Sequence, residues 1–442
     1  MQKKHSWTRR DFIAKPAAFL AASQLLKPSG LLFAEPSTPA PAATKKIITR
    51  TLGRTGFSLP IVSMGEPAND NPGIVRRAYE LGIRHFDTAA LYQGGKNEVL
   101  LGNAIKDMGV RKDVIMASKI EVMQQGKTVD PALAGPQLKT SFEAGLKRLQ
   151  TDYLDILYLH NVDDLSVVAM EGLLQALTDL KKQGRIRAIG ISMHHAEPVL
   201  KEVVRLGVYD VVLFPFNYSM ATDQGLLAAI ESAHKSGVGI VAMKTTAGNF
   251  GQTGGLPGVS RGAPPSGPPS GQAGGPTGGQ AGSPQGFGPG GRLGVSGATR
   301  TALLKWVLRH DMVATLLSEF GTYDHIEQNF SVAYDLAYTD DEKKVLADKK
   351  LIASIEFCHQ CSQCKGSCPN GADIPTLMRT HMYALQYYPG TGHPHETLAS
   401  IPAGRGLEAC SNCDSCSASC AWTVNIPRKI NQLQAWQKIV QA

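Results

Sequence analysis

Two runs of cysteine carry the most specific chemistry in this chain. The first is Cys358, Cys361, Cys364 and Cys368, followed by Pro369; the second is Cys410, Cys413, Cys416 and Cys420, followed by Ala421. Both have the spacing C-x2-C-x2-C-x3-C, the run whose thiolates hold a four-iron, four-sulfur cluster. Short gaps put three thiolates on one loop around a cubane, and the fourth lies just beyond. Where two such clusters share a chain, that fourth cysteine ligates the other cluster. On that pattern Cys368 joins Cys410, Cys413 and Cys416, while Cys420 joins Cys358, Cys361 and Cys364. Disulfides between thiols two residues apart are strained, and structural zinc takes two C-x2-C pairs or Cys/His mixtures rather than this run twice. Two [4Fe-4S] clusters are therefore expected. The eight cysteines are all that the 442 residues contain, so their full use as ligands leaves no free thiol. The echo between "GSCPNGADIPTLMRT" and "ASCAWTVNIPRKINQ" marks two pseudo-equivalent halves.

Something must hold these clusters against a reaction. From about residue 50 the chain alternates β-rich runs with amphipathic helical stretches. The strand candidates are "LPIVSMG", "RHFDTA", "VIMASKI", "LDILYLH", "IRAIGIS", "VVLFPF", "GIVAMKT" and "ATLLSEF". Between them, apolar residues recur at three- and four-residue spacing, as in "LKTSFEAGLKRL". Eight apolar strands with intervening helices predict an α/β fold, a (β/α)8 TIM barrel over 45–335. An open doubly wound sheet would carry a glycine fingerprint after its first strand, and "SMGEPANDNPG" is not one. Residues 251–297 are more than half Gly or Pro, with Arg261 and Arg292 as their only charges, which predicts a disordered insert. Residues 336–442 hold every cysteine and read as a separate, mainly α-helical C-terminal domain.

The N-terminus, "KKHSWTRRDFIAKPAAFLAASQLL", has Arg9-Arg10 before Asp11, Phe12 and Ile13, then a mildly apolar stretch and "EPSTPAPAAT". It resembles a twin-arginine export signal with a tether, over 1–42. That route carries folded proteins, typically with an assembled cofactor, so a periplasmic or otherwise exported location and the export machinery as a partner are expected. The net charge of +8 is modest and several positive charges sit in this segment. Neither an aromatic-rich basic patch nor a long Lys/Arg block appears, which argues against nucleic acid. No apolar run approaches the roughly 18–20 residues of a spanning helix, so no membrane span is expected after processing.

"LGIRHFDTAALYQ" resembles the signature of the aldo-keto reductases. "RTLGRTGFSLPIVSMG", "NEVLLGNAIK", "ASKI", "SFEAGLKRLQTDYLDILYLHNVD", "LKKQGRIRAIGIS" and "HIEQNF" follow in that family's order, across roughly 50–335. With the export signal and the cysteine runs, the chain is similar to the iron–sulfur oxidoreductases of that family. "IPTLMRTHMYALQYY" resembles the α-helical, ferredoxin-like modules of larger enzymes. The resemblance implies a catalytic tetrad of Asp87, Tyr92, Lys119 and His160, acting on a carbonyl (aldehyde, ketone or sugar) or its alcohol. The chemistry is coherent. Carbonyl reduction needs a proton donor, and tyrosine is a weak one unless a neighbouring ammonium stabilises its phenolate. Lys119 suits that role, Asp87 can hold the lysine, and His160 can orient the substrate oxygen.

The same resemblance places a nicotinamide at Ser192, Phe216 and Asn217, with Gln328 and Asn329 facing the adenine. It also finds departures: Met193 and Leu213 stand where an asparagine and a glutamine are usual, and Glu319 and His325 stand where cations meet a 2′-phosphate. An exported protein meets no free NAD(P)H. Three readings follow. A nicotinamide is bound tightly and recycled by electrons through the clusters and a redox partner; or it is lost and the tetrad does non-hydride chemistry; or the barrel is a non-catalytic scaffold. The first is the leading expectation.

Overall fold

The computed structural model of the chain describes residues 46–67, 70–124, 127–128, 130–246, 297–348, 357–387, 393–411, 413, 415–422 and 424–441. The expected export signal at 1–42, and all of the Gly/Pro-rich insert except Gly297, lie outside the described residues.

Eight parallel strands close into a barrel: β1 (Val62–Pro67), β2 (His85–Asp87), β3 (Ile115–Glu121), β4 (Leu154–His160), β5 (Ile186–Ser192), β6 (Val211–Pro215), β7 (Gly239–Met243) and β8 (Thr315–Phe320). They pair in chain order, and β8 returns to β1. Each strand expected from its apolar run is present, which accords with parallel strands buried on both faces. The helices α1 (Pro72–Leu81), α2 (Lys96–Met108), α3 (Pro131–Leu149), α4 (Glu171–Lys182), α5 (Ala196–Leu206), α6 (Gln224–Lys235) and α7 (Gly297–Leu308) surround it. Their starts are written locally. Asn71 and Asp130 each accept a hydrogen bond from a backbone N–H of the first turn, and Pro72 and Pro131 occupy the position where a missing N–H costs nothing.

Two apolar layers result. Inside the barrel, Ala117, Ile156, Tyr158, Ala188, Val211, Leu213 and Val241 pack with Leu52, Phe57 and Leu59 of a hairpin formed by Thr49–Thr51 and Ser58–Pro60. That hairpin lies against the first residue of β7: a Cβ on Gly53 would fall 2.3 Å from the Gly239 nitrogen. Outside, the strands' other faces meet the helices.

After β8 come α8 (Tyr323–Phe330), α9 (Asp340–Ala347), α10 (Ile374–Met382), α11 (His393–Ala399) and α12 (Ile426–Gln441). Ile374, Leu377, Ile426, Ile430, Leu433 and Trp436 form a second core beside the cysteines. Phe357, Met382 and Tyr383 instead join the core of the barrel. Residues 46–442 make one compact unit.

Candidate active site and cysteine sets

Six neighbouring strands of the barrel deliver a titratable side chain at or just past their C-terminal ends. In order around the rim these are Lys244 (β7), Glu319 (β8), Glu66 (β1), Asp87 (β2), Lys119 (β3) and His160 (β4). The four expected catalytic residues are brought together. The Lys119 ammonium is 1% exposed and donates to the Asp87 carboxylate, to the Thr88 carbonyl at 2.8 Å and to the Tyr92 hydroxyl at 3.2 Å. The Tyr92 and His160 rings meet edge to face at 5.7 Å.

Local structure explains the placement. Past β2 the chain keeps bonding to β3, Thr88 N–H to Ala117 and Ala90 N–H to Lys119. A turn with left-handed Gln93, Gly94 and Gly95 then ends the segment, leaving Tyr92 over the lysine. Beneath them Tyr158 fills the barrel, and only glycine fits opposite it: a Cβ on Gly190 would lie 2.4 Å from the Tyr158 ring.

Burial lifts the Tyr92 pKa well above its ordinary value, reinforced by the carboxylates of Asp87 and Glu66. The Lys119 ammonium alone would favour phenolate; the mouth adds dehydration and negative charge, and the phenol stays in its acid form. Burial also raises Asp87, against the pull of Lys119.

Of the remaining rim groups, Glu319 was met as a departure from the family pattern, while Glu66 and Lys244 carry no sequence signal of their own. Glu66 is 8% exposed, and its Oε2 makes no hydrogen bond. Burial, then Glu319, raises its pKa to about 8. Glu319, which solvent reaches, is raised by burial to about 7 against the pull of Lys244 and Arg300. Lys244 is lowered by burial to about 8. Each is a lone charged residue at the end of an apolar run, and only closure of the barrel makes them neighbours. Arg300, beside Glu319 and His325, supplies a cation near the region where the resemblance expected one.

The expected nicotinamide contacts are otherwise engaged. Ser192 Oγ accepts from Asn161 N–H at 2.9 Å and donates to the Leu159 carbonyl at 3.4 Å. Phe216 is fully buried against Trp306 and His310 of the helix layer, at ring distances of 5.2 and 5.1 Å, so it does not stack in the mouth. Met243, one strand over, joins the barrel interior. The Asn217 amide accepts from Ser219 N–H and donates to the Lys244 carbonyl at 3.2 Å. Met193 and Leu213 are fully buried. Gln328 stands beside Gly297 at the start of α7. Asn329 Nδ2 donates to Ser318 Oγ at 2.8 Å, with its buried Oδ1 unbonded. The three side chains expected at the nicotinamide thus have partners within the protein.

The cysteine-bearing segment covers the mouth. Arg379 of α10 donates to Asn161 Oδ1 at 2.9 Å and lies 3.5 Å from Asp163. Asp163 also caps the His194 and His195 N–H groups, each at 2.7 Å. The Tyr383 hydroxyl is 3.1 Å from His194 Nε2, and Tyr383 is among the groups that hold the Tyr92 hydroxyl protonated. His359 stacks on Trp422 at 4.4 Å and reaches Ser219 Oγ at 3.4 Å, beyond β6.

All eight cysteines are unpaired by disulfides. Burial raises the Cys364 thiol to about 12, helped by Cys358, Cys361 and Cys420 as its charged neighbours. Burial raises Cys410 to about 11, helped by Cys368, Cys413 and Cys416. The chain thus assembles two sets of four, each made of three thiols from one run and the last from the other. The second set lines a cavity of about 680 Å³, with Pro369, Ile374 and Leu407 on its walls. Among the described residues no three His, Cys, Asp or Glu side chains are placed to hold a single metal ion. Left-handed Gln360, Ser362 and Gly366 curve the first loop, a backbone shape that turns N–H groups inward. Gln360 Nε2 and Asn370 Nδ2 point at the sulfurs of Cys358 and Cys413, each at 3.0 Å.

The geometry is that of a carbonyl-type acid–base site in a TIM barrel. The family described as "Aldo/keto reductase family" matches residues 65–258, which supports that family for the barrel. L-galactose dehydrogenase of Arabidopsis thaliana is 31% identical over 212 residues, 45% of this chain and 65% of that protein. The chain spans between 52% and 65% of the length of the first such curated relatives. Among solved structures, the holo form of an aldo-keto reductase from Bacillus halodurans is 23% identical, covering 69% of this chain and 96% of that one, with a TM-score of 0.49. An aldo-keto reductase from Klebsiella pneumoniae in complex with NADPH is 20% identical, covering 68% and 93%, with a TM-score of 0.47.

Proposed function

We propose that this protein is an iron–sulfur oxidoreductase that interconverts a carbonyl and an alcohol, and that it is exported by the twin-arginine route. One observation carries the chemistry: Lys119 is bonded at once to Asp87 and Tyr92, below a mouth closed by the segment that bears the cysteines. In this reading Tyr92 gives its proton to the carbonyl oxygen, Lys119 steadies the phenolate left behind, Asp87 fixes the lysine, and His160 orients the oxygen.

Cys358, Cys361, Cys364 and Cys420 would hold one [4Fe-4S] cluster, and Cys410, Cys413, Cys416 and Cys368 the other. The cavity among the second set and the approach of Gln360 and Asn370 to sulfur suit such a group. Bound there, the clusters supply one electron each, and reduction of a carbonyl consumes two electrons and two protons. In this reading a tightly bound nicotinamide, where present, exchanges its electrons through the clusters, although the side chains expected at its carboxamide also have partners within the protein. That an NADPH complex is known for a structural neighbour keeps a nucleotide in view.

The test is to purify the protein anaerobically, then measure iron and released NAD(P). Eight irons without nucleotide support the reading; about one nucleotide per eight irons returns the hydride carrier to the site, and absence of iron defeats the cluster assignment. Tyr92→Phe should abolish carbonyl turnover with iron content unchanged. Full turnover in that variant would mean that the tetrad is not the site.

A further inference from the structure

The loop that follows β4 is held from two sides. Its first residue, Asn161, comes directly after His160 and has a left-handed backbone with φ of +59°, which asparagine tolerates better than most side chains. That turn sets where the chain goes as it leaves His160, whose ring meets Tyr92 edge to face at 5.7 Å. On the barrel side the turn is held by the end of β5. Asn161 N–H donates to Ser192 Oγ at 2.9 Å, and Val162 N–H to the Ser192 carbonyl at 2.8 Å.

On the other side stands the cysteine-bearing segment. Asn161 Oδ1 meets Arg379 Nη1 at 2.9 Å and His194 Nδ1 at 2.7 Å. The same Arg379 nitrogen lies 3.5 Å from Asp163 Oδ2, while Asp163 Oδ1 accepts from the His194 and His195 N–H groups. Donor types fix the direction of each bond. A guanidinium can only donate, so the oxygen of the Asn161 amide must face it. Burial, with Lys244 and Arg379 nearby, keeps the His194 ring neutral, so one of its nitrogens carries a proton and the other does not. The proton is on Nδ1, because the Asn161 oxygen can only accept. Nε2 is then an acceptor, and the Tyr383 hydroxyl donates to it at 3.1 Å. The bonds run from Arg379 and Tyr383 to the residue beside His160, each with one permitted direction. Arg379 Nε is buried without a hydrogen-bond partner, so the guanidinium gives up hydration to reach Asn161 and Asp163. Arg379 belongs to α10, which starts just past Cys368 and packs through Ile374 and Leu377 into the core beside the cysteines.

We propose that Arg379 is a positioning residue for His160, supplied to the catalytic mouth by the cysteine-bearing segment. It acts through Asn161: with the guanidinium in place the left-handed turn is fixed, and His160 is presented to the substrate oxygen beside Tyr92. Without it, the Asn161 amide loses its charged partner and the turn can relax. The assignment rests on the carbonyl chemistry proposed for the tetrad, and it makes the barrel's site incomplete until the segment docks.

The experiment uses the full, iron-loaded chain under anaerobic conditions, with glyceraldehyde as substrate and dithionite-reduced methyl viologen as the electron source. Arg379→Met should lower kcat and kcat/KM together by about tenfold to a hundredfold, the scale expected when a catalytic side chain shifts by about 1 Å, with iron content unchanged. Arg379→Lys should recover most of that loss, since a single nitrogen makes both contacts. Asn161→Gly permits the left-handed backbone and removes only the acceptor. Its effect should match that of Arg379→Met, and a protein carrying both changes should lose no more than either alone. Additive losses, or a loss confined to KM, overturn the proposal. Hydrogen exchange needs no turnover. The Asn161 and Val162 amides, protected by Ser192, should exchange about tenfold faster or more in Arg379→Met, and unchanged exchange there overturns the proposal as well. Absence of turnover in the unaltered protein would count against the proposed reaction, and exchange at these two amides would then decide whether Arg379 holds the loop.

Discussion

Replacing Glu66 by glutamine tests the electrostatics of the mouth without reference to any substrate. The folded chain holds the Glu66 proton up to about pH 8, whereas an unfolded glutamate releases it near 4.5. Between those values the folded state carries one proton more than the unfolded state, so stability falls as pH rises. The contribution is intact below about 4.5 and is lost as pH climbs through 8. At about 1.4 kcal/mol per pKa unit the fall amounts to roughly 5 kcal/mol across the window. Glu66 is 8% exposed, so solvent screens little of this. Glu66→Gln keeps the shape and removes the titration, so the variant should gain on the native protein by that amount between pH 4.5 and 8. Urea denaturation of both proteins across this range, followed by circular dichroism, measures the difference. Lys244 contributes with the opposite sign: its folded pKa is lowered from 10.5 to about 8, so it makes stability rise with pH between those values. A stability difference that stays constant with pH would show that Glu66 ionises normally, and the account of a dehydrated, negatively charged mouth would fail.

Asp87→Ala leaves the Lys119 ammonium buried with only Thr88 and Tyr92; breaking such a pair should cost about 3–5 kcal/mol in denaturation, and a cost under about 1 kcal/mol would refute the pairing argument. Cysteine variants read the two sets by electron paramagnetic resonance of the reduced protein. Cys420→Ser should alter the signal that Cys361→Ser alters, and Cys368→Ser the one that Cys413→Ser alters; grouping by sequence run instead would contradict the crossed assembly. Arg9→Lys with Arg10→Lys should keep the protein in the cytoplasmic fraction, and undiminished export would remove the twin-arginine reading.

The barrel was legible because its strands are buried on both faces and so read as short apolar runs, eight of them, separated by longer stretches of helical period. The tetrad was named by the resemblance, which the strand pattern could only accompany: Asp87, Lys119 and His160 lie on strands, and Tyr92 on the turn after β2. The seat of Phe216 was not legible. It lies just past β6, where the alternation that says which face a side chain takes no longer holds, and Trp306 of α7 and His310 just after it provide the seat that it fills. Asn217 was placed at the nicotinamide by the resemblance alone; its amide instead bonds to Ser219 N–H and to the Lys244 carbonyl. That Lys244, Glu319 and Glu66 share one rim was invisible for a different reason, although Glu319 itself stood out as a departure. Each is isolated in sequence by scores of residues, and a barrel's closure, β8 against β1, is the long-range contact that local pattern does not encode. The cysteine spacing needed no such contact, since three of each set's four thiols lie on one short loop.

The two cysteine sets are equivalent in spacing but not in surroundings. The first is tied to the barrel: His359, inside its run, reaches Ser219 beyond β6 and stacks on Trp422, two residues after Cys420. Cys358 is packed into the same region through Phe357, which belongs to the barrel's core. The second set faces outward, with Cys413 exposed and a cavity opening among its thiols. In the proposed function, that asymmetry gives the electrons an order. A cluster at the first set stands next to the loops that end at the catalytic mouth, and a cluster at the second set meets the external partner. A crossed ligand pattern serves this arrangement mechanically, because each cluster then ties both runs together and neither can move away from the barrel alone. Arg379 and Tyr383, which lie on the segment between the runs, fasten that paired unit to Asn161 and His194 beyond the strands carrying Lys119's neighbours. The segment that would conduct electrons is thus the one that closes the site, so loss of the clusters should loosen the mouth as well as disconnect it.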